Sequence, residues 1–326
     1  MKFARKFQGL GSRNERYTGN RGRLGKILGI LLIAYLLICL AIGWYWSREP
    51  GLDDLTVLPV GDNSALTTGS HTARTVQALV GTLLDKPGGF ISNDISPPGI
   101  WLDNMPSWEF GVLVQVRDIT RSMRRDMARS QSQSTEDPDL SRAEPLFHFD
   151  HNSWALPASE REYRSGLLAL NSYVTRLESG NASFYARADN LAGWIGDAST
   201  RMGSLSQRLS ASVARTPMAD GRERKQTPWL EIDNVFFEAR GSAWAMLHLL
   251  RAVEKDFADV LANKNALISL QQIISELEAT QEPIWSPVIL NGGGFGVFAN
   301  HSLVMANYLS RANAGLIDLR RLLEQG

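Results

Sequence analysis

Three carboxylates fall in one glycine-rich, aromatic stretch of this chain, from Lys86 to Gly111, and they are its first candidates for chemistry. Asp94, Asp103 and Glu109 sit among Phe90, Trp101 and Trp108. Two carboxylates facing across a cleft there would supply an acid and a base for glycosidic or amide hydrolysis. The same residue types also serve as turn and capping residues (Asp94, Asp103) or stand in a helix's first turn (Glu109). Nothing in the spacing fixes their separation, so the structural role carries more weight. A fourth candidate, His301, lies four residues before Met305 on the same stripe as Tyr308. There a hydrogen-bonded core histidine competes with a ligand or base. His248, one turn after Trp244, poses the same choice. His148 and His151 flank Phe149-Asp150, but without the helical spacing that would make a metal site. No metal and no cofactor is expected. Gly294-Phe-Gly296-Val-Phe-Ala299 matches a dinucleotide fingerprint only formally, because no strand precedes it and Asp318 falls on a helix. Its glycines fit a tight turn pressed on a neighbouring helix. No G-x-S-x-G elbow is present, and Cys39 is the single cysteine.

The elements that must position these residues read as helices throughout. Val76, Val80 and Leu83 recur at helical spacing after the start signal Thr67-Thr68-Gly69-Ser70. Val112, Val116, Ile119, Met123 and Met127 do the same, as do Tyr163, Leu167, Leu170, Val174 and Leu177. Ser159 and Glu162 form an expected capping box, Gly180 an expected left-handed end, and Asn181 an expected cap for the next helix, which carries Phe184 to Leu209. Thr227-Pro228 predicts a cap and first-turn proline for a helix running to about Asn263. Further helices hold Leu267 to Leu277 and Met305 to Leu323. Two polar stretches, 130–145 and 215–226, read as possible links. The fold expectation is all-α: a bundle with two long structured Gly/aromatic loops, 86–111 and 291–300. Both are too apolar to remain solvated, and positive φ is expected at some of Gly88, Gly89 and Gly292 to Gly296.

Ahead of this domain, Ile27 to Trp46 runs without a charge and is long enough for a transmembrane helix, with Trp44, Tyr45 and Trp46 as an aromatic belt. Residues 1–26 carry eight Lys or Arg against Glu15 alone, a net of +7. The positive-inside rule then predicts a cytoplasmic basic tail, a membrane helix at 27–46 and a translocated domain at 47–326. A cleaved signal peptide is the competing reading, with Ala41 and Gly43 before a cut at Trp44, but the basic region and apolar run are long for it. Beyond residue 26, 26 Lys and Arg face 33 Asp and Glu, net −7, so no nucleic-acid partner is expected. The basic tail suits anionic headgroups instead.

The strings GGFISNDISPPGIWLDNMPSWEFG and NGGGFGVFANHSLVMANYLSRANAGLIDLRRLL resemble a family of uncharacterised proteobacterial inner-membrane proteins, over nearly the whole chain. That resemblance implies a Gram-negative envelope protein and supplies no activity or catalytic residues. The leading expectation is a membrane-anchored periplasmic protein that binds or scaffolds envelope partners without catalysis. The alternatives are an envelope hydrolase using the carboxylates of the 86–111 loop, and lipid binding between the long helices. Convergence of Asp94, Asp103, Glu109 and His301 in an open cleft would favour the hydrolase.

Overall fold

The computed structural model describes residues 14–55, 67–129, 135–212, 227–286, 288–291 and 299–325. Compact units form from Met1–Trp46 and from Ser47–Gly326. The first contains α1 (Asn14–Trp46), whose stretch Arg23–Trp46 has a mean hydropathy of 2.7 and is long and apolar enough to cross a membrane. Its side chains from Leu24 to Tyr45 are largely exposed.

The second unit is all-α. Its helices are α2 (Ser70–Asp85), α3 (Asn104–Ser122), α4 (Pro138–Phe147), α5 (Ser159–Glu178) and α6 (Ala188–Ser210), followed by α7 (Ile232–Asp256), α8 (Ala258–Asn263), α9 (Leu267–Ala279) and α10 (His301–Glu324). Apart from one isolated antiparallel bridge between Asn291 and Asn300, no strand pairing occurs among the described residues. The hub is α7, which packs against α2, α3, α6, α9 and α10. Every residue from Ala239 to Leu250 is buried, so this helix is covered on all sides, as a helix without a polar face must be. The stripes do the work expected of them: Val76, Val112, Val116, Ile119, Leu170 and Leu316 are fully buried.

Where α3 crosses α7 the backbones touch. A Cβ on Gly111 would lie 2.1 Å from the Glu238 carbonyl, and one on Gly241 2.1 Å from that of Trp108. Only glycine permits such an approach. Trp108 and Trp244 pack against each other beside the crossing, ring centres 5.1 Å apart and planes tilted by 52°.

The structure departs from expectation at several helix ends. The start signal before α2 includes no local side-chain cap; Gly69 adopts φ 92 there. The cap comes from Asp256, at the end of α7, which accepts from Gly69 N at 2.9 Å, Thr72 N at 2.6 Å and Thr72 Oγ1 at 2.7 Å. No capping box forms at α5, because Ser159 Oγ donates to the carbonyls of Asp150 and Ser153 instead. Asn181 caps nothing, and α6 begins only at Ala188. In the gap, Phe184 leaves the expected helical stripe and meets Phe257 edge-on. Thr227-Pro228 leads into a short 3-10 turn, Trp229–Glu231, before α7. The stretch expected as a link at 130–145 holds α4, capped by Asp137 with Pro138 at its start and Leu140, Ala143 and Phe147 buried. Similarly, the 86–111 loop gives way to α3 at Asn104. Gly88 and Gly89 take positive φ of 87 and 71 as expected. The stretch 215–226 and the glycines Gly292 to Gly296 lie outside the described residues.

His248 is a core residue of α7, edge-on to Trp244 at 4.7 Å, with Nε2 buried and unpartnered. Burial, with the charge of Arg251 adding, pushes its pKa down to about 4. The unfolded chain, near the ordinary 6.5, therefore takes up a proton first as the pH falls. The stability this neutral histidine carries is complete above pH 6.5 and is lost progressively towards pH 4, by about 3 kcal/mol. His248→Leu should remove that part of the acid destabilisation, read as a smaller fall in urea midpoint between pH 7 and pH 4.5 than in the parent.

Candidate functional site

Of the expected site residues, Glu109 is the most deeply placed. It stands on α3 with its side chain fully buried, ion-paired with the Lys86 ammonium, itself 1% exposed. Its oxygens accept from Ile91 N at 2.9 and 3.1 Å, Ser92 N at 2.8 Å and Ser92 Oγ at 2.5 Å. Lys86 also donates to the Gly89 carbonyl. This carboxylate is saturated with donors from its own loop and sealed from solvent. It clamps the loop, with Phe90 and Ile91 driven into the core, and offers no free lone pair to a substrate.

Asp94 lies on the outer part of the same loop, its carboxyl against the Cα of Gly99, where a Cβ would sit 2.1 Å from Oδ2. Burial raises its pKa, and the negative charges of Glu160 and Glu109 add to the shift. Asp103 precedes α3 but its side chain caps nothing. It faces a hollow of about 560 Å³ shared with Ser47, Glu49, Trp229, Asp233 and Arg240. His301 opens α10, where its Nδ1 accepts from Leu290 N at 3.1 Å and Asn300 supplies the helix cap. Burial lowers its pKa, in keeping with a neutral acceptor nitrogen. It lines a second hollow of about 320 Å³, with Phe236, Trp285, Met305 and Tyr308. The four candidates are thus distributed over a sealed clamp, a loop surface and two different hollows.

Those two hollows are the more distinctive feature, for Arg240, Ile284 and Ser286 line both. Arg240 is the one cation in the buried stretch Ala239–Leu250 of α7. Its guanidinium donates to Glu49 at 2.6 Å and to the carbonyls of Thr280, Gln281 and Glu282 at 3.0 to 3.1 Å. It thereby satisfies the carbonyls that follow α9 and holds down the segment after Trp46. Trp244 Nε1 fixes the same segment by donating to the Gly51 carbonyl at 3.1 Å. Burial raises the pKa of Glu49 while the Arg240 charge opposes the shift, and its Oε1 is buried without a hydrogen-bond partner. Across the hollow, Asp233 is raised by burial and then by the like charge of Asp103. Neither Glu49 nor Arg240 stood out in sequence, although a lone arginine within an apolar helical run is the signal that marks a buried ion pair.

The other motifs resolve into structure. His148 contacts Arg121 at 2.6 Å and the Glu144 carbonyl at 3.0 Å, while His151 stacks on Phe110 at 4.8 Å. No group of three metal-ligating side chains occurs among the described residues. Asp318 is exposed on α10 and pairs with Arg321. Most of the glycine fingerprint lies outside the described residues. Of the tryptophans beyond α1, Trp108, Trp194 and Trp244 are core anchors, whereas Trp101, Trp154, Trp229 and Trp285 are exposed.

No curated protein and no solved structure shows detectable similarity to this chain. Residues 20–326 do match a family described as "Uncharacterized protein conserved in bacteria (DUF2333)". The match takes in α1 from residue 20 and the entire helical unit with its two hollows, and the chain belongs to that bacterial family.

Proposed function

We propose that the protein is a single-pass anchor of the bacterial inner membrane, with its N-terminus cytoplasmic and residues from 47 onward periplasmic. Its helical domain binds or scaffolds envelope partners. The observation that carries this reading is α1: Arg23–Trp46 is apolar, its side chains are exposed, and eight cationic residues stand in the first 26. A helix with apolar side chains outward needs a non-aqueous surrounding, which a bilayer supplies. The binding role is supported by the two hollows, the smaller lined mainly by aromatic and aliphatic side chains and the larger by apolar and polar or charged groups in equal share, a mixture that ligand and partner sites use. The hydrolase alternative loses support, because Glu109 is saturated within its own loop and the other candidates lie apart from it.

Topology is tested with a reporter active only after export. Fused after Gly326 it should be active, and fused near Gly19 it should be silent. The reverse pattern would overturn the orientation. A mature chain beginning at Trp44 would remove the anchor and leave only an exported domain. Crosslinking in intact envelopes, followed by identification of attached proteins, tests the partner role, and a chain that crosslinks to nothing would sink it.

A further inference from the structure

We infer that Trp229, Leu230 and Trp285 form a second contact with the lipid bilayer, seating the helical domain on the interfacial layer beside the point where α1 emerges. This rests on the reading of α1 as a membrane span. The three side chains are 75%, 74% and 94% exposed, and Val288 beside them 59%. So much apolar surface gathered around adjoining hollows marks a contact, since each large side chain left in water forgoes about 1.5–3 kcal/mol of burial. The four residues surround adjoining hollows: Trp229, Leu230 and Val288 line the larger and Trp285 the smaller, with Arg240, Ile284 and Ser286 common to both.

Chain connectivity identifies the occupant. Ser47, bonded directly to Trp46, lines the same hollow as Trp229 and Leu230. Residues lining one hollow face each other across it, and a single peptide link of about 3.8 Å joins Ser47 to Trp46. Whichever direction α1 takes, the ledge therefore stays close to the end of the span. The intervening segment cannot swing it away, because Glu49 is held by Arg240 and Gly51 by Trp244. The headgroup layer on each side of a bilayer is roughly 5–8 Å deep, within reach of a tryptophan side chain at this distance. Tryptophan and leucine are the residues such a layer accepts, with the indole N–H left for the wet boundary. Among the charges lining the hollows, Arg240 is paired with Glu49, which leaves Asp103, Asp233 and Glu282 as a net negative balance, so the contact suits a zwitterionic surface better than an anionic one.

The test uses the full chain in phosphatidylcholine vesicles carrying nitroxide lipids, shallow ones to read the helical domain and, in a parallel set, ones labelled at the bilayer centre to read α1. Cys39 is the only cysteine, so a Cys39→Ser background accepts one fluorophore at a time, at Val288→Cys, at Trp154→Cys or, within α1, at Tyr35→Cys. Trp154 is also exposed, at 61%, but stands on the loop before α5 and lines neither hollow. Position 35 should be quenched, and position 288 should be quenched about twofold or more above position 154. Adding Trp229→Ser and Trp285→Ser should bring position 288 down to the level of 154, with an unchanged far-ultraviolet circular dichroism spectrum. Quenching at 35 with 288 no higher than 154 would overturn the second contact and leave the anchor standing; it is also the result expected if a partner protein, absent from the vesicles, covers the ledge. No quenching at 35 would overturn the anchor itself.

Discussion

Gly241→Ala is expected to cost at least about 3 kcal/mol, the upper end of overpacking penalties, and to leave much of the protein misfolded. The added methyl would lie 2.1 Å from the Trp108 carbonyl oxygen and 2.9 Å from its carbon. No side-chain rotation relieves a collision with backbone, so α3 and α7 must separate. That separation would open the Trp108–Trp244 ring contact and strip packing from the buried helix α7. It would also spread the larger hollow, since α7 carries Asp233 and Arg240 while Asp103 stands at the entry to α3. Gly111→Ala should behave alike, for its methyl meets the Glu238 carbonyl at the same distance. Gly81→Ala supplies the opposite sign. Nothing lies within 4 Å of its added methyl, and alanine stabilises an open helical position by about 0.5–1 kcal/mol. Urea midpoints of the detergent-solubilised full chain, followed by circular dichroism, decide the matter. A Gly241→Ala protein as stable as the parent would show that the crossing is looser than its geometry implies.

These glycines also show what the sequence made legible. The helical stripes were readable because burial repeats every three to four residues, so Val112, Val116 and Ile119 on α3 and Leu316 and Leu319 on α10 could be assigned to the core directly. The positive φ at Gly88 and Gly89 was readable because the residues around them are turn formers. Gly111 and Gly241 were not, because their role depends on another helix crossing at that point, and periodicity says nothing of crossings. The cap on α2 was hidden for the same reason: Asp256 comes from 184 residues further along than Thr72, so no local pattern contains it. Phe184 fitted a helical stripe by spacing, but its ring packs across the positive-φ turn at Gly69, against Phe257. As for the candidate site, Asp103 and His301 do line hollows, but none of the residues that join those hollows, Arg240, Ile284 and Ser286, was picked out in sequence, because their role depends on elements far apart in the chain meeting there.

Glu109 gives the sharpest contrast between a catalytic and a structural carboxylate. Glu109→Ala leaves the Lys86 ammonium, 1% exposed, without its counter-charge, a loss of about 3–5 kcal/mol for a broken buried pair. It also orphans Ile91 N and Ser92 N. Lys86→Met should cost less, because Glu109 keeps its three donors from Ile91 and Ser92. Glu109→Gln is the informative variant. It has nearly the same shape, but its amide turns donors towards groups that themselves donate, so it should be destabilised by about 1–3 kcal/mol. Amide exchange at Ile91 and Ser92 should accelerate in step with the fall in urea midpoint, since the clamp and the fold fail together. A carboxylate kept for catalysis behaves in the opposite way: functional sites are held at a cost to stability, and neutralising them commonly leaves a protein as stable or more so. Should Glu109→Gln match or exceed the parent in midpoint, with exchange at Ile91 and Ser92 unchanged, the clamp would be wrong and the loop would return as a candidate active site.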